Sequence, residues 1–221
     1  MERTLPKVSY QEVLHYLGCQ TADDLLDQQI RQAITTLEQL AKPKIVYQIT
    51  DIVDRDSILG IPLIGKDIHT LLKTCDQAIC MALTLGTAVD VETKRLSIKD
   101  MGAMLVFDAV CNAGIEALAD AFQEELRRSY LVKKRYLSDR FSCGYGDFDI
   151  SVQKKFCEAL DTKRKIGVFV NESSLLIPLK SVTAIIGISN QRQPKRITGC
   201  EHCDLKETCV LRKGGMSCGN K

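Results

Sequence analysis

The sequence predicts an α+β fold: a twisted, mainly antiparallel sheet with long flanking helices, followed by a short cysteine-rich C-terminal tail. Amphipathic segments with a helical period alternate with separate runs of apolar and β-branched residues. After Ser189 the chain becomes polar, and four cysteines then fall within the last 22 residues. We therefore expect one folded domain over residues 1–190 and a linker with a tail over residues 191–221.

Five segments show the three- and four-residue apolar spacing of amphipathic helices. In the second of them Thr21 is the predicted N-cap, and Pro43 follows the end of the helix. The fourth is the longest, and at ~1.5 Å per residue it would cross the whole domain. The predicted helices cover residues 10–17, 22–40, 67–74, 97–130 and 152–160.

Four segments are predicted strands because they are short, apolar and rich in β-branched residues. The second ends at Gly86 and is almost wholly apolar, which is typical of a buried strand. Residues 138–149 have no helical period and are rich in Ser, Gly, Asp and aromatic residues, so they are predicted to form an ordered loop. The predicted strands cover residues 44–52, 78–85, 166–170 and 182–188.

The charge of the chain is nearly balanced. Thirty basic and 28 acidic residues leave a formal net charge of +2, which gives no reason to expect nucleic acid or an anionic membrane. No apolar run typical of a signal peptide follows Met1, and the apolar stretches are shorter than the ~20 residues of a membrane span. We therefore expect a cytoplasmic protein with reduced cysteines.

Cys200, Cys203, Cys209 and Cys218 lie within 19 residues of one another. Four thiolates can close a tetrahedral site, and a two-residue gap between the first pair is common to zinc and iron–sulfur ligands. His202 could replace one of the thiolates. The spacing does not decide between zinc and a [4Fe–4S] cluster, and a reduced tail without metal is the alternative.

The loop beginning Arg140-Phe141-Ser142-Cys143-Gly144-Tyr145 concentrates groups that bind small ligands. The arginine can pair with a carboxylate, the glycine lets the backbone approach a ligand, and the tyrosine adds a flat apolar face with a hydroxyl. On spacing alone the motif is weak, and a structural arginine in an ordinary turn is the better explanation.

The order of these residues resembles the activation domain of cobalamin-dependent methionine synthase. After the Arg-x-Ser-x-Gly-Tyr loop come a helix, the segment Ile166-Gly167-Val168-Phe169-Val170-Asn171-Glu172-Ser173, and then Pro178. The resemblance is best over residues 90–190. Asn171 stands where the family usually has threonine, and Cys143 stands where proline is common.

The resemblance implies that the loop binds S-adenosylmethionine. Arg140 would hold the ligand carboxylate, because a guanidinium forms charge-assisted, forked hydrogen bonds. Ser142 and Gly144 would offer backbone polar groups to the adenine or ribose. Tyr145 would lie over the sulfonium, since an aromatic face favours positive charge.

A carboxylate is also needed for the ligand ammonium. Asp108, Asn112, Glu116 and Asp120 are four residues apart and line one face of the long predicted helix. This face could equally be the solvent side of the helix. The resemblance favours Glu116. Glu172 is the next candidate, and the alternative for it is an ordinary carboxylate at a strand end.

The resemblance implies a role in reductive reactivation of cob(II)alamin, as an accessory component rather than a complete methyltransferase. The 221 residues hold no homocysteine, folate or cobalamin module, so the expected partner is a separate cobalamin-binding methionine synthase or corrinoid protein. A reduced carrier such as flavodoxin or ferredoxin would supply the electron. The alternatives are a metal-dependent interaction module, which would depend on the tail and not on Arg140, and a regulatory protein that binds its ligand without methyl transfer.

Overall fold

A computed structural model describes residues 1–193 of the chain. The predicted metal ligands Cys200, Cys203, Cys209 and Cys218, together with His202, lie outside the described residues. Their metal site therefore stays a prediction from spacing. The α+β prediction is confirmed: helices pack on a mainly antiparallel sheet.

The strands of the described chain are β1 (Lys44–Asp51), β2 (Ser57–Ile58), β3 (Ile61–Pro62), β4 (Gln77–Thr84), β5 (Tyr136–Leu137), β6 (Phe169–Val170), β7 (Leu176–Ile177) and β8 (Ser181–Ser189). The centre of the fold is a four-stranded antiparallel sheet with the strand order β1-β4-β8-β5. Its two middle strands are buried on both faces, which explains why the sequence shows them as nearly continuous apolar runs. Two short hairpins, β2–β3 and β6–β7, lie outside this sheet.

The helices cover both faces of the sheet, because alternate strand residues point to opposite sides. Ile79, Met81 and Leu83 of β4 belong to one core with the first, second, fourth and fifth helices. Ala78, Cys80 and Ala82 belong to the other core with the remaining helices. The helices are α1 (Tyr10–Leu17), α2 (Asp24–Leu40), α3 (Lys66–Leu72), α4 (Thr87–Lys99), α5 (Met101–Val132), α6 (Gln153–Leu160) and α7 (Thr162–Ile166).

The predicted helix over residues 97–130 is wrong at its start. Asp100 has an extended backbone (φ −157°, ψ 101°), and its side chain accepts a hydrogen bond from the Ala103 backbone N–H at 3.0 Å. This N-cap begins α5 and separates it from α4, which the apolar pattern did not reveal. Among α4 residues only Val89 is fully buried, so the helix has little apolar periodicity.

Two other boundaries also differ from prediction. Asp23, and not Thr21, caps α2, because its carboxylate accepts from the Leu26 N–H at 2.8 Å. The predicted strand over residues 166–170 is reduced to Phe169–Val170, since α7 extends to Ile166 and ends at Gly167 in the left-handed conformation. Ile166 and Val168 of this segment are buried in the core instead of being paired in a strand.

α5 is long and apolar enough to cross a membrane by length and composition alone. Half of its most apolar 18-residue stretch is buried inside the protein, and thirteen residues of the whole helix are buried. A helix in a protein core can have the same length and apolar composition as a membrane span. α5 packs against α1, α2 and α4 in the larger core. Its composition is therefore explained by its place in the fold.

Candidate functional site

A cavity of about 850 Å³ opens beside the predicted ligand loop. One wall is the C-terminal half of α5, another is the segment over residues 139–153, and the third is the segment over residues 174–183. Its volume falls in the range of about 300–1,000 Å³ that is typical of small-molecule sites. The sequence predicted the loop and the helix face, and the structure brings both to one cavity.

Arg140 lies between the loop and α5, where its side chain is only 15% exposed. Its Nη2 donates to Glu116 Oε2 at 2.9 Å, and its Nη1 lies 2.8 Å from Asp120 Oδ1. Nη1 also donates to Gln123 Oε1 at 3.0 Å. The guanidinium is therefore held by two carboxylates and one amide along a single helix face.

Backbone pairing with β8 fixes the position of the loop. Phe141 and Ile185 exchange two backbone hydrogen bonds, of 2.9 and 2.8 Å. Phe141 and Cys143 are buried against the sheet. Arg140 and Ser142 alternate with these two residues along the extended segment and line the cavity, and Cys143 also contributes to the cavity wall.

The polar stripe on α5 is divided between two cations. Lys180 Nζ lies 2.7 Å from Asp108 Oδ1 and donates to Asn112 Oδ1 at 2.7 Å. Glu116 and Asp120, further along the same face, pair with Arg140 and line the cavity. The polar side chains of this helix face thus bind Lys180 and Arg140, which come from other segments. Only the pair that binds Arg140 borders the cavity.

Ser142 and Tyr145 line the cavity, and Tyr145 is about half exposed at its mouth. The backbone groups predicted to reach a ligand already hold the turn: Gly144 N–H donates to Phe148 C=O at 2.7 Å, and Tyr145 N–H donates to Ser142 C=O at 3.1 Å. Gly144 has a φ of +87° and shapes this turn. The described cavity lining does not include it.

Glu172 lies in the turn of the β6–β7 hairpin. It is not one of the described residues that line the cavity. Its neighbour Asn171 organises that turn: Asn171 Oδ1 accepts from the N–H groups of Ser173 at 3.0 Å and Leu175 at 2.9 Å. Leu175 itself lines the cavity. The asparagine that replaces the usual threonine therefore shapes one wall of the cavity.

The cavity lining is acidic overall. Four carboxylates and two guanidiniums line it, those of Glu116, Asp120, Glu124, Asp139, Arg127 and Arg140. The excess of carboxylates gives the lining a formal charge of −2, of which Arg128 offsets one unit by pairing with Glu124 at 3.0 Å. A partly enclosed site strengthens the effect of the remaining excess. The electrostatics of the cavity therefore favour a ligand with net positive charge.

Cys143 is a neutral part of the cavity wall. Burial raises the pKa of its thiol to about 12, so the nucleophilic thiolate is scarce at neutral pH. Burial raises the pKa of Cys80, in the core behind it, to about 12 as well.

Within residues 1–193, no group of three or more His, Cys, Asp or Glu side chains is placed to hold a metal ion.

Asp147 fastens the far end of the loop to α3. Its carboxylate accepts from the backbone N–H groups of Lys66 at 2.6 Å and Asp67 at 3.0 Å, which are the first two residues of that helix. These bonds satisfy donors that a helix N-terminus otherwise leaves unpaired. The hydrogen bond from the Asp67 backbone, followed by that from Lys66, lowers the pKa of Asp147 below its usual 3.8.

The stability that Asp147 contributes should depend on pH. Because its folded pKa is lowered, the contribution is present above pH 3.8 and is lost as the pH falls through the lower folded value. In urea unfolding from about pH 7 to about pH 3, we expect Asp147→Asn to be less stable than the wild type at neutral pH. The difference should shrink below pH 3.8; a difference that is constant or grows in acid would contradict this role.

Sequence reasoning missed Gln123 and ranked Asp120 below Glu116. Both contact Arg140, and both continue the helix face that begins at Asp108. Asp120 is four residues after Glu116, and Gln123 is three residues further on. Extending the polar stripe by one more helical step would have found Gln123.

Comparison with known families identifies a match over more than half of the chain. The model of the family described as "Vitamin B12 dependent methionine synthase, activation domain" matches residues 72–201 of this chain. The match includes the loop over residues 138–149 and the segment over residues 166–173, which carried the resemblance. No curated protein matches.

Comparison with solved structures gives the same fold. A crystal structure of the MetH reactivation domain bound to AdoHcy superposes with a TM-score of 0.56 at 14% sequence identity. The alignment covers 96% of this chain and 78% of that chain. At this identity the likeness concerns the fold alone.

Proposed function

This chain belongs to the family of the activation domain of vitamin B12-dependent methionine synthase, and from that membership we propose that it binds S-adenosylmethionine in the cavity beside Arg140. We further propose that it supports reductive methylation of cob(II)alamin on a separate cobalamin-dependent methionine synthase or related corrinoid protein. The observation that carries the proposal is the pairing of Arg140 with Glu116 and Asp120 at the cavity wall.

These three side chains can bind both charged ends of an amino acid. A guanidinium has five N–H donors, and the contacts of Arg140 with Glu116, Asp120 and Gln123 leave donors for a ligand carboxylate. Glu116 and Asp120 supply an excess negative charge that would receive the ligand ammonium. The ligand would therefore join an existing ion-pair network, with each of its charges facing the opposite sign.

The charge of the cavity suits S-adenosylmethionine in particular. The sulfonium and the ammonium together outweigh the carboxylate, so the ligand is a cation, and the cavity lining is acidic. Tyr145 at the mouth offers an aromatic face to the sulfonium. The neutral thiol of Cys143 suits a wall beside an alkylating ligand, because a thiolate there would compete for the methyl group.

The rim of the cavity is apolar and exposed, which suits a docking face for the corrinoid partner. Four large side chains, those of Tyr145, Ile150, Leu175 and Leu179, line the cavity and are each about half exposed. We propose that the corrin-bearing face of the partner covers this rim. Docking there would place the sulfonium methyl at the corrin and exclude water from the cavity.

The work of the domain would be positioning. One electron from a reduced carrier such as flavodoxin or ferredoxin converts cob(II)alamin to its cob(I) form, which attacks the sulfonium methyl. The carbon–sulfur bond breaks, and methylcobalamin and S-adenosylhomocysteine are formed. No proton moves, so the residues of this chain need only hold the methyl donor in line, a contribution that can reach roughly 7–11 kcal/mol.

A reconstituted methylation assay tests the proposal. The chain is mixed anaerobically with a cobalamin-dependent methionine synthase that lacks its own activation domain, with methyl-labelled S-adenosylmethionine and reduced flavodoxin. We expect labelled methylcobalamin in the presence of the chain, and none when the chain is omitted. Saturable ligand binding without methyl transfer would favour the regulatory alternative, and the absence of binding would reject the proposed site.

A further inference from the structure

We propose that Gln123 is the positioning residue that sets the orientation of Arg140 for a ligand carboxylate. The inference rests on the proposed function, because it concerns how that site binds its ligand. Gln123 is 7% exposed and bridges two groups: its Oε1 accepts from Arg140 Nη1 at 3.0 Å, and its Nε2 donates to Ser138 C=O at 3.1 Å.

The chemistry of the two partners fixes the orientation of this amide. Arginine only donates hydrogen bonds, so it must face the amide oxygen, and a backbone carbonyl only accepts, so it must face the amide NH₂. A flipped amide would place two donors together on one side and two acceptors together on the other. Glutamine is therefore the side chain whose two ends match this pair of partners.

Gln123 connects Arg140, through Ser138, to one of the two buried middle strands of the sheet. Ser138 N–H donates to Gly187 C=O at 2.9 Å, and Gly187 N–H donates to Ser138 Oγ at 2.8 Å. Gly187 lies in β8, beside β4. The amide thus links the guanidinium by hydrogen bonds to the buried sheet. The other two partners of Arg140 are less enclosed, since the side chains of Glu116 and Asp120 are 27% and 49% exposed.

Because Gln123 is uncharged, it suits the role of holding Arg140 while a charged ligand binds. Glu116 and Asp120 would turn partly toward the ligand ammonium when the ligand binds, and their hold on Arg140 would weaken. Gln123 carries no charge and would keep its hydrogen bond, because its other end stays bound to Ser138. It would therefore hold the guanidinium in place without repelling the ligand carboxylate.

A comparison of two ligands separates this role from a general structural one. S-adenosylmethionine and its decarboxylated analogue are each titrated calorimetrically into the wild type and into Gln123→Leu. We expect Gln123→Leu to weaken binding of S-adenosylmethionine by roughly tenfold or more, since a hydrogen bond to a charged group is lost. Binding of the decarboxylated analogue should change by less than about threefold, because it has no carboxylate for Arg140 to hold.

Gln153 provides the matched control. It is also a buried glutamine of the cavity wall, but its Nε2 donates to Thr183 Oγ1 at 2.8 Å on the β8 side of the cavity. Gln153→Leu should affect both ligands by a similar factor. Gln123→Met, which keeps the length of the side chain, is the second variant if Gln123→Leu does not fold.

The results distinguish the inference from the proposed function. Selective loss of S-adenosylmethionine binding in the Gln123 variants supports the positioning role. Equal loss for both ligands, or no loss for either, overturns that role while the proposed site stands. A wild-type protein that binds neither ligand rejects the proposed function itself.

Discussion

Arg140→Ala is expected to weaken S-adenosylmethionine binding by about 3 kcal/mol, roughly a hundredfold increase in Kd, as estimated for the loss of a partly buried charged partner. The substitution removes the guanidinium that would face the ligand carboxylate. It also leaves Glu116 and Asp120 without their shared counter-charge, so the same carboxylate would be repelled. Both effects act in the same direction, and calorimetric titration of wild type and variant measures their sum.

Arg164→Ala is the control for this prediction. Arg164 is also an arginine in an ion pair, with Asp161 at 2.6 Å, but its side chain is 80% exposed on α7. Exposed pairs contribute little, so this variant should bind the ligand as the wild type does. Equal affinity of Arg140→Ala and the wild type would remove Arg140 from the site, even if the chain still supported methyl transfer.

Gly65→Ala is expected to destabilise the fold by more than about 3 kcal/mol, by combining backbone strain with a steric clash. Gly65 precedes α3 with φ 122° and ψ 153°, a conformation that is almost restricted to glycine. A Cβ there would lie 2.5 Å from the backbone oxygen of Asp147. A backbone atom cannot rotate away as a side chain can, so α3 and the loop would have to separate.

Gly60→Ala separates the two causes. Gly60 also has a positive φ, +74°, but no atom lies within 4 Å of the position of an added Cβ. We expect a cost of about 1 kcal/mol from backbone strain alone. Urea unfolding of both variants gives the comparison, and equal costs would show that contact between the loop and α3 contributes no additional stability.

Gly65→Ala should also weaken ligand binding in the protein that remains folded. The contact with α3 fixes Asp147, and Asp147 closes the loop that carries Tyr145. Gly60→Ala should leave binding unchanged, because Gly60 lies in the β2–β3 turn, which is not part of the described cavity lining. The pair of variants therefore links loop anchoring to the site as well as to stability.

Local sequence patterns were enough to predict most elements, because burial imposes a period on each of them. α1 begins and ends at its predicted residues, and β4 and β8 differ from their predicted bounds by one residue at each end. The errors occurred where a single backbone interaction overrides the pattern. Asp100 interrupts a continuous apolar period by capping a new helix, and the end of α7 at Gly167, in the left-handed conformation, shortens the predicted strand to Phe169–Val170.

Some features of the candidate site were likewise predictable from the sequence, and others were not. The sequence by itself identified the family, the Arg140 loop and the polar face of α5, because these are carried by short motifs and by helical spacing. It did not determine that Gln123 and Asp120 contact Arg140, or that Lys180 takes the first half of the polar stripe. Those pairings depend on how the loop and the hairpin register with β8, where a shift of one residue would turn the side chains to the opposite face. Only the tertiary structure decides that register, because the hydrogen bonds that set it join residues such as Phe141 and Ile185, which are far apart in the chain.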